Sequence, residues 1–143
     1  MKGKFWMLPI VLLLIASACS KESVVPEEKL PASIQSYIST HFPGDSILQV
    51  VKDREWANTS YEVILDGSTK LEFNKKNEIK SIESVTELPA SVIPSKISAY
   101  VEEKYPDRFI RSWELDDNRQ EVELDNGIEL VFNLEGGFLR IDT

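Results

Sequence analysis

Residues 62–74 read Glu-Val-Ile-Leu-Asp-Gly-Ser-Thr-Lys-Leu-Glu-Phe-Asn, and residues 121–133 read Glu-Val-Glu-Leu-Asp-Asn-Gly-Ile-Glu-Leu-Val-Phe-Asn. The two stretches superpose at an offset of 59, and each is an alternating apolar/polar run broken by a turn signal, the pattern of a β-hairpin. The register of the second can be worked out. If Asp125-Asn126-Gly127 is a three-residue loop, Leu124 faces Ile128 and Val122 faces Leu130, so every apolar residue falls on one side. A two-residue Asn126-Gly127 turn would set Leu124 against Glu129. A slip of one residue turns a core face into water, so the three-residue loop is expected, with Gly127 at its left-handed position. Asp66-Gly67-Ser68 by the same logic pairs Leu65 with Thr69, Val63 with Leu71 and Tyr61 with Phe73.

Upstream of each hairpin lies a second match. Leu30 to Pro43 superposes on Ile93 to Pro106 at an offset of 63, and the loss of four residues between the two offsets falls where a turn can absorb it. Ile34, Tyr37, Ile38 and Phe42, like Ile97, Tyr100, Val101 and Tyr105, recur at helical spacing. Pro31 and Pro94 suit a helix start, and Pro43 and Pro106 disfavour helical backbone in the residue before them. Leu88-Pro89-Ala90-Ser91 repeats the helix-opening tetrapeptide, so the second helix has two candidate starts. Strands are expected near Ser46–Arg54, Thr59–Leu65, Thr69–Asn74, Glu78–Glu83, Arg108–Leu115, Arg119–Leu124, Ile128–Asn133 and Phe138–Asp142. The expected fold is α+β: two tandem repeats, residues 30–84 and 88–143, each a helix followed by a four-stranded antiparallel meander, with both helices on one face of the sheet.

The first eighteen residues carry an address. Lys2 and Lys4 precede an apolar run from Phe5 to Ile15 that ends in Ala16-Ser17-Ala18 before Cys19, the chain's one cysteine. The run is shorter than the roughly 20 residues a membrane-spanning helix needs and fits a secretory signal. Ile15-Ala16-Ser17-Ala18-Cys19 resembles a bacterial lipobox, which implies cleavage before Cys19 and a diacylglycerol on its thiol. Ser20 in place of aspartate then implies retention at the outer membrane. Residues 19–29, polar and without an apolar period, are expected to be a lipidated tether. The membrane is thus one expected partner.

Removal of Met1 to Ala18 takes Lys2 and Lys4 with it and leaves 14 basic against 24 acidic side chains, a formal charge of −10. That excess argues against nucleic-acid binding, which relies on clustered Lys and Arg. With His41 the single histidine and Cys19 committed to lipid, the usual His/Cys metal clusters and Cys–His or Ser–His–acid arrangements have no residues to build them. No catalytic residue, metal ligand or cofactor is assigned. Gly136-Gly137 lacks the Lys-Ser/Thr of a phosphate loop.

Leu-Pro-x-x-Ile, Phe/Tyr-Pro, Tyr-Glu-Val-x-Leu-Asp-Gly, Leu-x-Phe-Asn and a closing Gly-rich turn with Phe138-Leu139-Arg140-Ile141 together resemble the PepSY-like proteins. These are lipoproteins and secreted proteins of Bacteroidota, with a fold similar to the β-lactamase inhibitory protein. The resemblance covers residues 30–143 and implies a sheet able to grip another protein.

The deduced register leaves Glu62, Ile64, Lys70 and Glu72 of the first repeat, and Glu121, Glu123, Glu129 and Val131 of the second, on the face turned away from the helices. That face is the candidate site of a non-catalytic module binding an envelope or secreted protein or peptide. The alternatives are a sensor of a small ligand or cation and, third, a hydrolase using paired carboxylates. Glu123 is expected opposite Glu129, a like-charge pair that needs a cation from Arg111, from Arg140, or from outside the chain.

Overall fold

Strand order across the sheet is strand order along the chain. The computed structural model describes residues 20–142, so the signal segment and Cys19 lie outside the described residues. Nine antiparallel strands form one open sheet: β1 (Ser20–Val25), β2 (Ile47–Glu55), β3 (Asn58–Leu65), β4 (Thr69–Phe73), β5 (Ile79–Glu83), β6 (Ile110–Asp116), β7 (Arg119–Leu124), β8 (Glu129–Asn133) and β9 (Phe138–Asp142). Helix α1 (Ala32–His41) lies between β1 and β2, and α2 (Ser95–Lys104) between β5 and β6.

The expected hairpin registers are present. Tyr61, Val63 and Leu65 face Phe73, Leu71 and Thr69, while Val122 faces Leu130 and Glu123 faces Glu129. Leu124 N–H donates to the Ile128 carbonyl at 2.9 Å, which closes the three-residue loop, and Gly127 takes the left-handed backbone that loop requires (φ 84°). The eight strands anticipated from sequence agree with β2–β9 within two residues at each end.

The ninth strand corrects the expected tether. Ser20–Val25 pairs residue for residue with Val50–Glu55, from Ser20 opposite Glu55 to Val25 opposite Val50. A polar stretch can pair this way because the ladder is made by backbone groups and β2 would otherwise present an unpaired edge. Instead of a free linker, the chain therefore enters the sheet directly after Cys19.

Both helices begin after a proline whose carbonyl starts the helical bonding: Pro31 accepts from Ile34 and Gln35, and Pro94 from Ile97 and Ser98. The duplicated tetrapeptide resolves into a short 3₁₀ turn, Ala90–Val92, ahead of α2; its counterpart Glu27–Lys29 precedes α1. Ile34, Ile38, Ile97 and Val101 are buried against Val63, Leu65, Leu71, Ile82, Val122, Leu124 and Leu130 in one continuous core. Phe73 and Phe132, at equivalent strand positions, are 2% and 0% exposed. Each meets its helix through a tyrosine edge, Tyr37 at 5.6 Å and Tyr100 at 5.4 Å between ring centres. On the same side, Gly136 (φ 83°) lets the β8–β9 turn approach α2: a Cβ there would stand 2.9 Å from that of Lys96.

Bulges recur at matching places in the two copies, between Ile47 and Gln49 and between Ile110 and Ser112. The four extra residues of the first copy lie in the β2–β3 hairpin. There, Arg54 opposite Thr59 and Glu55 opposite Asn58 add two register pairs beyond Asp53–Ser60, whereas β6–β7 closes at Asp116–Arg119. The first hairpin thus reaches about 7 Å further.

Candidate functional site

No helix covers the second face of the sheet, and its composition follows from the alternation of the strands. Residues that flank the core positions in β3, β4, β7 and β8 point there, and the structure brings together the anticipated set Glu62, Ile64, Lys70, Glu72, Glu121, Glu123, Glu129 and Val131. One of these cannot serve as a contact. Val131 is 0% exposed although it lies outside the helix-side core. It sits in register between Glu121 on β7 and Arg140 on β9, whose longer side chains flank it on both sides.

Acids meet acids across this face. Glu22 is opposite Asp53, Glu62 opposite Glu72, Glu114 opposite Glu121, and Glu129 lies between Glu123 and Asp142. These are five like-charged register pairs against two of opposite charge, Lys70–Glu83 and Asp116–Arg119. Like charges directly opposite destabilise a strand pair, so this arrangement does not serve the sheet's own stability.

Four cations offset part of the repulsion. Lys70 Nζ stands 3.1 Å from Glu72 and 3.8 Å from Glu62, and its pKa is raised, first by the hydrogen bond to Glu72. Arg111 donates to Glu123, which likewise raises the arginine. Arg119 reaches Glu121 at 2.8 Å and Asp116 at 3.3 Å. Arg140 pairs with Asp142 through two 2.8 Å hydrogen bonds that hold the carboxyl below its usual range. The expected Glu123–Glu129 conflict is therefore answered on one side by Arg111, and Arg140 is engaged elsewhere. Glu114 and Glu129 have no ion-pair partner among the described residues.

Glu22, Asp53, Glu83 and Glu114 belong to this face but escape a reading of the two hairpins alone. Placing them needs the pairing of β1, the registers of the β2–β3 and β6–β7 hairpins, and the bulge between Glu72 and Phe73 that re-phases β4 against β5. Near β1 the face dips into a shallow cleft of about 290 Å³ lined by Glu22, Asp53, Glu62, Glu72 and Lys80, where Asp53 Oδ1 is buried without a hydrogen-bond partner. Among the described residues, no three His, Cys, Asp or Glu side chains are grouped to hold a metal ion. His41 lies away from the face, bonded to Ser91 Oγ at 2.9 Å and packed on Tyr37.

The same nine-stranded arrangement has relatives. A structure described as a "putative calcium-regulated periplasmic protein" from Bacteroides thetaiotaomicron superposes with a TM-score of 0.80 at 30% identity, covering 85% of this chain and 97% of the other. A putative periplasmic protein of the DUF2874 family from Bacteroides vulgatus gives 0.79 at 32% identity, with 85% and 97% covered. A second B. vulgatus periplasmic protein of unknown function gives 0.80 at 29%, with 86% and 100% covered. No curated protein matches the chain. The family model described as "Putative beta-lactamase-inhibitor-like, PepSY-like" matches residues 17–59 and 59–140. With two halves that follow one plan and an uncovered acidic sheet face, the chain belongs to the PepSY-like, beta-lactamase-inhibitor-like family.

Proposed function

We propose that this protein is a non-catalytic lipoprotein of the cell envelope, anchored through Cys19, that holds a basic segment of a protein or peptide on its open sheet face. The observation that carries the reading is the set of five carboxylate pairs facing one another in register, with Glu114 and Glu129 lacking a cation among the described residues. A partner's Lys or Arg side chains supply the missing charge, steer the encounter and select against acidic competitors. An envelope location is supported by three structural relatives described as periplasmic, and the family's inhibitor-like description fits a surface that occupies another protein. The test is cross-linked capture from intact envelopes by the wild type and by a Glu114→Gln/Glu129→Gln variant. Capture that falls in the variant and in high salt supports the reading, and capture equal in both removes the face from it. Intact mass of the membrane fraction tests the anchor, since an unmodified Cys19 overturns it.

A second reading rests on two observations: Asp53 Oδ1 is buried and unpartnered in the cleft, where Glu22, Glu62 and Glu72 line the walls without converging as a ready-made metal site, and one relative is described as calcium-regulated. Calcium regulation of this chain predicts a rise in Tm with added Ca²⁺ that Asp53→Asn abolishes. No change in Tm at millimolar Ca²⁺ excludes it.

A further inference from the structure

Trp56 is the most exposed large apolar side chain among the described residues, 87% accessible, and it occupies an unusual backbone position. It is the first residue of the two-residue turn at the tip of β2–β3, with φ 57°. A positive φ at that position is ordinarily left to glycine, and a bulky residue held there is strained. The largest side chain available has been placed, at a backbone cost, at the end of the hairpin that outreaches its counterpart in the second repeat.

The register shows what lies beside it. Ser20, the residue after Cys19, is opposite Glu55, so the chain leaves the sheet toward Cys19 alongside Trp56. At the same end, the face shared with Val50 carries Lys52 and Arg54, with Lys21 directly opposite Arg54. These three cations have no ion-pair partner among the described residues. Antiparallel order puts the β4–β5 loop at this end too, bringing exposed Lys75 and Lys76. Five cations and a protruding tryptophan gather where the chain emerges toward the cysteine, outnumbering the acids of the same two turns, Glu55 and Glu78.

Resting on the lipid-anchor reading of Cys19, we propose that the β2–β3 tip is a membrane-seating element. Trp56 enters the interfacial zone of the bilayer that holds the Cys19 acyl chains, and Lys21, Lys52, Arg54, Lys75 and Lys76 meet anionic headgroups. Tryptophan favours that zone because its ring is apolar and its N–H remains hydrated. Basic side chains near an acyl anchor add a second attachment, which acts over a Debye length and weakens with salt. The domain then stands on the β2–β3 tip and the β4–β5 loop in one orientation.

The test uses the mature lipidated protein reconstituted in vesicles of phosphatidylcholine with and without phosphatidylglycerol. After signal cleavage its tryptophans are Trp56 and the buried Trp113, so Trp56 is the reporter. The expected result is a blue-shifted Trp56 emission quenched by brominated acyl chains, with quenching reduced when phosphatidylglycerol is omitted or salt is raised. Trp56→Ser should lose the quenchable component while keeping its Tm and its sedimentation with the vesicles. A wild type that sediments with vesicles while its Trp56 emission stays unshifted and unquenched overturns the seating proposal and leaves the anchor intact. A protein that does not sediment and has an unmodified Cys19 overturns the anchor, and the seating proposal with it.

Discussion

Glu129 occupies in the second repeat the position that Lys70 occupies in the first. Lys70 bridges Glu62 and Glu72; Glu129 lies between Glu123 and Asp142 and adds a negative charge where its counterpart supplies a positive one. The duplicated fold keeps its core and reverses the charge at this position.

This reversal makes Glu129→Lys informative. Restoring the first repeat's cation relieves two like-charge contacts, so stability is expected to stay equal or rise by about 0.2–1 kcal/mol. Capture of a basic partner should fall, most at low salt, because exposed charges are screened within about 8 Å at physiological ionic strength. Thermal melts and envelope capture at two salt concentrations check both halves. A marked loss of stability would give Glu129 a structural role.

Phe73→Ala and Phe132→Ala should each cost about 3–5 kcal/mol, since both rings are buried and truncation leaves a cavity under a helix. Urea denaturation reads the difference. A loss of a few tenths at either position would contradict the packing of that repeat.

Gln120 is a buried polar hub of the second repeat. It accepts from Trp113 Nε1 at 3.0 Å and donates to the carbonyls of Asn133 and Leu134 at 3.2 and 3.1 Å. Gln120→Leu keeps much of the volume but strands an indole N–H and is expected to cost about 1–3 kcal/mol. Gln120→Glu should cost more at neutral pH than at acidic pH, because a buried carboxylate is disfavoured in its charged form. Denaturation at the two pH values separates these outcomes.

Burial pushes the Tyr37 hydroxyl from 10.0 up to about 12. The folded state then binds the proton more tightly than the unfolded chain. Its contribution is fully present below pH 10 and is lost as pH rises toward about 12. Tyr37→Phe, which removes the titrating group, should show a shallower fall in Tm over that interval than the wild type. Equal slopes would mean that Tyr37 ionises without a penalty.

Where turn chemistry and alternation cooperate, sequence determines structure residue by residue: Gly127 and the apolar set Val122, Leu124 and Leu130 specify the β7–β8 register. Ser20–Val25 could not be recognised in this way. Val24 and Val25 are its only apolar residues, and what makes it a strand is the unpaired edge of β2 across a helix-containing connection. The bulges hid a second layer of information. Each inserts one residue and re-phases the strand, so the direction of Arg111, which sits at the β6 bulge, cannot be counted from the alternation of its own strand. Val131 was misleading for another reason. Alternation places it on the outer face, but burial there depends on the neighbouring strands' side chains, which the strand's own pattern does not encode.

The unbroken β1-to-β9 order has a kinetic corollary. Six of the eight strand pairings join segments linked by a tight turn or short loop, and the other two, β1–β2 and β5–β6, span the segments that contain α1 and α2. Loop-closure entropy is therefore small for most of the sheet and concentrated at two steps, each of which must bring a helix down onto the strands as it closes. Folding can proceed by zippering within each half. The encounter of β5 with β6, made through only three register pairs, is the step at which the halves become one sheet.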